Sequence, residues 1–342
     1  MLVAINTLGI KPGWGGGEEV YLRGVMTQLG EIERATDFVV LADADNYESF
    51  DSFERVTVGP LGLSRAISKS GASALLSPLR TAPKKSPVPV ILLVMELFSL
   101  KEEAPQKRFR AQSSLKEARE ILKNAVAVVV PSEFIKRELL ERFEVPLNMT
   151  VVAPLGVSEE FAKPQSCIVE QPYFLVVGRI SGRKNIPLLL EAFERVASEI
   201  PHCLVVVGQP SESEPEDWGP RVVRIDRVGT TQLAGLYQHS DLVICPSLYE
   251  GSGVLVLEAL KAGARVAVGR VGGITEVAGD APIFFNPESV DSLVGALRRA
   301  VSESVADRQR RLRSGKQATH EFTWENTALQ TLMAFRRAIG PE

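Results

Sequence analysis

The sequence predicts an α/β protein built as two successive doubly wound domains, and three observations carry that expectation. Short unbroken runs rich in Val and Ile recur along the chain, and runs without polar alternation belong to strands buried on both faces. Polar, helix-forming stretches separate them, the alternation of a parallel sheet flanked by helices. The pattern stops midway at a loop and starts again, and 342 residues suffice for two cores of about 150 residues each.

The first set of strands is expected at Met1 to Ile5, Phe38 to Ala42, Val88 to Val94, Val126 to Val130 and Val151 to Ala153, which gives a first domain over 1–157. Residues 158–171 carry Pro164, Gln165, Ser166 and several charges without an apolar period, and read as the interdomain linker. A second set follows at Tyr173 to Val177, Cys203 to Val207, Val222 to Ile225, Leu242 to Cys245, Val266 to Val268 and Ile283 to Phe285, within a domain over 172–322. The remaining 323–342 have a helical period, with Trp324, Leu329, Leu332, Met333 and Phe335 as the apolar face of a helix packing back toward the first domain.

Composition excludes several classes of function. Apolar residues at 45% and charged residues at 24% describe an ordinary globular fold. A net charge of −3 gives no general attraction to nucleic acid. Cys167, Cys203 and Cys245 are odd in number and widely spaced, as in a reduced cytoplasmic protein, and no paired Cys or His stands at metal-ligand spacing. The start MLVAINTLG lacks a basic leader and reads as a strand rather than a signal peptide. No run approaches the roughly 18 to 20 apolar residues of a membrane span. Between Glu54 and Glu96 there is no acidic residue, while Arg55, Arg65, Lys69, Arg80, Lys84 and Lys85 are basic. A solvated surface is the plain expectation for segment 55–87, and peripheral contact with anionic lipid at the inner membrane face is the functional one.

Two stretches carry chemistry. In VVGRISGRKNIPLLLEAF, Val176 to Phe193, a strand ends in glycine, Arg179, Arg183 and Lys184 follow, and a helix opens at Asn185 with Pro187 in its first turn. Cations beside a helix start suit a diphosphate and the charge that grows on a departing nucleoside diphosphate. In PSLYEGSGVLVLEALKAG, Pro246 to Gly263, Gly251 and Gly253 free the backbone after another strand, and Val254 to Ala262 form a helix closed by Gly263. That helix start is an anion site. Glu250 and Glu258 bracket it, and their carboxylates suit the hydroxyls of a sugar or ribose. The first strand is not followed by G-x-G-x-x-G, and the glycines of GWGGGEE stand at the wrong intervals for a dinucleotide-dependent dehydrogenase.

Over almost its whole length the chain resembles the retaining glycosyltransferase family 4, of GT-B architecture. The resemblance rests on GGGEE at Gly15 to Glu19, PSEFIKREL at Pro131 to Leu139, PLGV at Pro154 to Val157, GRISGRKN at Gly178 to Asn185, YEGSGVLVLEAL at Tyr249 to Leu260 and FTWEN at Phe322 to Asn326. It implies two Rossmann-like domains facing across a cleft. It also implies a hexosyltransferase, independent of metal and cofactor, that uses a UDP- or GDP-linked sugar with retention of configuration. The acceptor, whether a glycan, a lipid-linked sugar or a small molecule, stays open.

By the same resemblance Arg179, Lys184 and Glu250 are the catalytic group. Gly15, Gly16, Gly17, Glu96, Ser252, Gly253, Val254 and Glu258 would bind the donor. One departure stands out: the family's usual His-Asp pair is replaced by Met95 and Glu96 in VMELF. Glu96 taking the polar contact, a different donor sugar, or a weak or inactive nucleotide-sugar-binding partner subunit would each account for it.

Overall fold

The computed structural model describes residues 1–10, 16–32, 36–59, 62–98, 108–209, 215 and 217–340, with the backbone alone at 108–114. The chain divides into two compact units, Met1–Gly156 with Trp324–Glu342, and Val157–Thr323.

The first unit is a parallel sheet of β1 (Leu2–Asn6), β2 (Asp37–Ala42), β3 (Glu54–Thr57), β4 (Ala74–Pro78), β5 (Val90–Leu93), β6 (Ala125–Val130) and β7 (Thr150–Val152). Their order is β3-β2-β1-β4-β5-β6-β7. Val3 pairs with Phe38 on one side and Ala74 on the other, so the direction of winding reverses at β1. Five of these strands lie within or beside the apolar runs. The edge strand β3, ERVT, and the central β4, ALLSP, do not stand out by composition, although every β4 residue is buried. The helices are α1 (Gly17–Ile32), α2 (Leu63–Ser70), α3 (Arg108–Lys123) and α4 (Glu133–Phe143). Ser132 caps α4 by accepting from Ile135 N at 3.2 Å, which satisfies one orphan donor of the first turn.

The second unit repeats the plan with β8 (Tyr173–Val177), β9 (Cys203–Val207), β10 (Val222–Ile225), β11 (Leu242–Cys245), β12 (Val266–Gly269) and β13 (Ile283–Phe285). Its order is β10-β9-β8-β11-β12-β13, all parallel, with the reversal between β8 and β11. Around it stand α5 (Ile186–Ala197), α6 (Thr230–His239), α7 (Val254–Lys261), α8 (Ile274–Val277), α9 (Val290–Ser302) and α10 (Val305–Ala318). Successive strand residues feed opposite cores: Tyr173, Leu175 and Val205 pack with Leu257, while Phe174, Val176 and Leu204 pack with Leu189 and Phe193. That two-sided burial is why these strands read as unbroken apolar runs.

Helix α11 (Trp324–Ile339) belongs to the first unit. Tyr21 and Thr331 share a buried hydrogen bond, and Thr327 Oγ1 donates to Pro154 O at 2.6 Å. Its buried face is Thr327, Ala328, Thr331, Leu332, Ala334 and Phe335. Leu329 and Met333 are exposed, so the expected apolar face is rotated: small residues lie inward because α1 approaches closely, with Gly24 against the Trp324 ring.

Residues 158–171, expected as a linker, are packed onto the second unit. Phe161 joins its core beside Tyr237, Gln165 N donates to the Gln238 side chain at 2.9 Å, and Gly235 leaves room for Ser166 O. The three cysteines are free thiols. Among the described residues no helix is long and apolar enough to cross a membrane.

Candidate functional site

In a doubly wound sheet, ligands bind outside the carboxyl ends of the strands where the winding reverses. In the second unit that place is the end of β8 and β11, and both motif stretches leave the sheet there.

The loop after β8 turns on Gly178, whose φ of 121° only glycine adopts readily. A Cβ there would stand 2.8 Å from Lys184 Cε and 3.2 Å from Leu255 Cδ1. Gly178 therefore gives Lys184 its place against the first turn of α7. Gly208 is equally constrained, because its Cβ would meet Gly178 O at 2.0 Å. A short 3-10 turn, Gly182–Lys184, and Asn185 in the left-handed region then lead into α5.

The loop after β11 brings Glu250 to this cation. Glu250 Oε1 accepts from Lys184 Nζ at 2.7 Å, Arg183 NH1 at 2.9 Å and Ser247 Oγ at 2.8 Å. Arg183 also donates to Tyr249 O at 3.0 Å, and Leu248 N to Arg183 O at 2.8 Å, which stitches the two loops together. Lys184 is 2% exposed. Burial alone would raise the Glu250 pKa, but the charges of Lys184 and Arg183 and the hydrogen bonds from Lys184 and Ser247 outweigh it and hold the value at about 2. The carboxylate is ionised throughout the working range.

Gly253, with φ 68°, caps α7, and a Cβ on it would strike Val277 Cγ2 at 2.7 Å. Ser252 Oγ accepts from Val254 N at 3.4 Å. Glu258 stands one turn into α7, half-buried, with Tyr237 Oη donating to its Oε2 at 3.2 Å. Enclosure raises its pKa to about 7, against the downward pulls of the Tyr237 hydrogen bond and the Lys184 charge. Burial pushes the Tyr237 hydroxyl well above its ordinary value, so it remains a donor.

Of the expected residues, Lys184, Glu250, Ser252, Gly253, Val254 and Glu258 come together here. Arg179 is exposed at the end of β8. Gly16, Gly17 and Glu96 belong to the first unit, where Gly17 opens α1 beside the buried Met95 side chain, and burial, opposed by Arg80 and assisted by Glu96, raises the Glu18 pKa. Gly15 lies outside the described residues. Sequence reasoning did not single out Ser247 or Tyr237. Ser247 could have been suspected from its position three residues before Glu250; Tyr237 lies on α6 with no local signal. Arg183 was visible only as a neighbouring charge, and its contact with Glu250 needs the fold.

Residues 158–320 match the family model of the glycosyl transferases group 1. The chain is 27% identical over 263 residues to the O-antigen chain mannosyltransferase B of Escherichia coli, covering 71% of this chain and 68% of that protein. It is 30% identical to the lipopolysaccharide 1,2-N-acetylglucosaminetransferase of Salmonella typhimurium, over 61% of each chain, so it spans about six-tenths of that relative. Sucrose-phosphate synthase from Thermosynechococcus elongatus superposes with a TM-score of 0.77 at 20% identity, covering 98% of each chain. Anabaena HepE in complex with UDP-glucose gives 0.75 at 14% identity, covering 98% of this chain and 99% of that one. These likenesses establish a GT-B fold of two Rossmann-like domains. The match to the glycosyl transferases group 1 lies within the second unit, Val157–Thr323.

Proposed function

We propose that this chain, a group 1 glycosyltransferase by its second unit, moves a hexose from a UDP- or GDP-linked donor to an acceptor hydroxyl with retention at the anomeric carbon. The observation that carries the reading is the 2.7 Å approach of Lys184 to Glu250 beside the start of α7, which joins two sequence clusters into one charged group. Arg183 and Lys184 both donate to the ionised carboxylate of Glu250, with exposed Arg179 on the same loop. The excess of positive charge suits a diphosphate diester, with one negative charge on each phosphate.

The diphosphate would lie between these cations and the backbone of Ser252, Gly253 and Val254 at the α7 start, where the helix dipole favours anions. Ionised Glu258 would accept hydrogen bonds from the ribose hydroxyls. Glu250 would hold Lys184 and Arg183 in place and stand near the donor sugar. As the acceptor oxygen attacks the anomeric carbon, the bond from that carbon to the phosphate oxygen breaks. The acceptor proton passes to the departing phosphate, and the cations stabilise its charge without a metal or cofactor.

The first unit is assigned the acceptor, whose class stays open among glycans, lipid-linked sugars and small molecules. Glu96 and the loop at Gly16 and Gly17 would reach the donor from this unit. HepE bound to UDP and to UDP-glucose supports a nucleotide sugar, and the named mannosyl and N-acetylglucosaminyl transferases support a hexose. Exposed Arg65 and Lys69 on α2 support peripheral contact of a cytoplasmic enzyme with an anionic membrane through segment 55–87. Other cations of that segment are already engaged, Arg55 with Tyr47 and Glu48, Lys84 with Glu117 and Glu120.

Calorimetry against UDP-glucose, UDP-N-acetylglucosamine and GDP-mannose, followed by donor hydrolysis without acceptor, tests the reading. Saturable binding of one donor with slow release of its nucleoside diphosphate supports it, and silence toward the whole panel sinks it.

A further inference from the structure

Glu258 has two carboxylate oxygens, and the protein engages them unequally. Oε2 accepts from Tyr237 Oη at 3.2 Å. Among the described residues no hydrogen bond reaches Oε1, and that oxygen is not sealed from solvent. A carboxylate pinned through one oxygen keeps the other for a ligand hydroxyl.

The pin itself is rigid. Tyr237 is fully buried on α6. Its ring packs on Phe161, with centroids 5.9 Å apart and planes tilted by 60°. Phe161 lies in the 3-10 turn Glu159–Ala162, at the entry of the chain into the second unit. That turn is tied to α6 by Gln238 Nε2, which donates to Phe161 O at 2.9 Å, and to α7 by Lys261 Nζ, 2.6 Å from Glu159 Oε1. Two helices and the turn therefore fix where the Tyr237 hydroxyl stands, and it stands against Glu258.

Two groups act on Glu258 in favour of its ionised form, the Tyr237 hydroxyl from α6 and the Lys184 ammonium from the loop after β8. Lys184 gives its hydrogen bond to Glu250, so the direct contact with Glu258 is left to Tyr237. Cys245, at the end of β11 near Tyr237, is held neutral by burial. From other elements against α7, Glu159 is engaged by Lys261, and Arg311 of α10 by Glu303.

We propose that Tyr237 is a positioning residue of the donor site, pinning one oxygen of Glu258 and leaving the other for the ribose hydroxyls. The proposal rests on the nucleotide-sugar reading given above. Holding the carboxylate in one orientation before the donor arrives removes part of the ordering cost from binding. A hydrogen bond given to the charged form also favours that form.

The test compares the wild type with Tyr237→Phe, which keeps the ring on Phe161 and loses only the hydroxyl. In the unliganded full chain, NMR of isotope-labelled glutamate carboxyls reads the ionisation of Glu258, its resonance assigned with Glu258→Gln. The expected midpoint in Tyr237→Phe is about one pH unit higher, a tenfold change in the ionisation equilibrium. Calorimetry then follows the affinity for UDP-glucose, UDP-N-acetylglucosamine and GDP-mannose from about pH 6 to 9. The midpoint of the pH dependence is expected to move by the same amount for the donor that binds. In the Glu258→Gln background, Tyr237→Phe is expected to change affinity by less than about twofold. An unmoved carboxyl midpoint overturns the proposal whether or not a donor binds, as does an equal loss of affinity at every pH in both backgrounds. A moved midpoint in a chain that binds no donor overturns the nucleotide-sugar reading instead.

Discussion

Replacing Glu258 by glutamine separates what this carboxylate costs the fold from what it gives the donor. Enclosure lifts its pKa from 4.5 to about 7, even with Tyr237 donating to it and Lys184 nearby. At about 1.36 kcal/mol per pH unit, ionising the buried group costs about 3 kcal/mol, and its partial exposure brings the working figure to about 2 kcal/mol. The unfolded carboxyl loses its proton near 4.5 and the folded one near 7. Stability from this group therefore falls as pH rises through that interval and is level above it. Glutamine carries no such cost and keeps an acceptor for Tyr237. Denaturant unfolding is expected to find the two proteins close at pH 5 and Glu258→Gln more stable by about 2 kcal/mol at pH 8. Donor affinity, measured by calorimetry at pH 8, is expected to move the other way and fall about tenfold with the loss of a charged acceptor. A stability difference that is the same at both pH values would refute the raised pKa. A stabilised variant with undiminished donor affinity would refute the ribose role.

In the wild type the same ionisation makes donor affinity fall as pH drops below about 7 and level off about tenfold lower once the carboxyl is protonated, whereas Glu250, at about 2, contributes nothing to that change; a flat calorimetric profile from pH 5.5 to 8 would count against it. Lys184→Ala is expected to weaken the donor and also to cost about 2 to 3 kcal/mol in denaturant unfolding, because Glu250 keeps only Arg183 and Ser247. Gly24→Ala places a methyl 2.3 Å from the Trp324 ring and is expected to lower the stability of the first unit by about 1 to 3 kcal/mol, read by denaturant unfolding. Met95→His restores the residue common in the resembling family, and higher turnover in a donor-consumption assay is expected if the methionine merely forgoes a contact with the transferred sugar.

Much of the fold was legible because strands buried on both faces leave an unbroken apolar signature. All six strands of the second unit coincide with such runs. The exceptions have physical causes. β3 is a partly exposed edge strand, and β4 carries Ser and Pro and is buried by its neighbours rather than marked by β-branched residues. The linker reading failed because Phe161 and Val169 are too widely spaced to form an apolar period, yet both pack onto the second core. On α11 Leu332 and Phe335 face inward as expected, and the close approach of α1 at Gly24 sets Thr327, Ala328, Thr331 and Ala334 beside them in place of Leu329 and Met333.

By itself the sequence determined the two sets of strands and helices, the glycine turns that end β8 and start α7, and the presence of cations after one strand and carboxylates around a later helix. These are local properties, set by periodicity and backbone freedom over a few residues. Only the tertiary structure decided that Lys184 and Glu250 share a hydrogen bond across 66 positions, that Tyr237 serves Glu258, and that His202 meets Asp241. Those pairings follow from strand order, which sets β8 beside β11 and β12 beyond it; no stretch of chain short enough to show a pattern contains both partners.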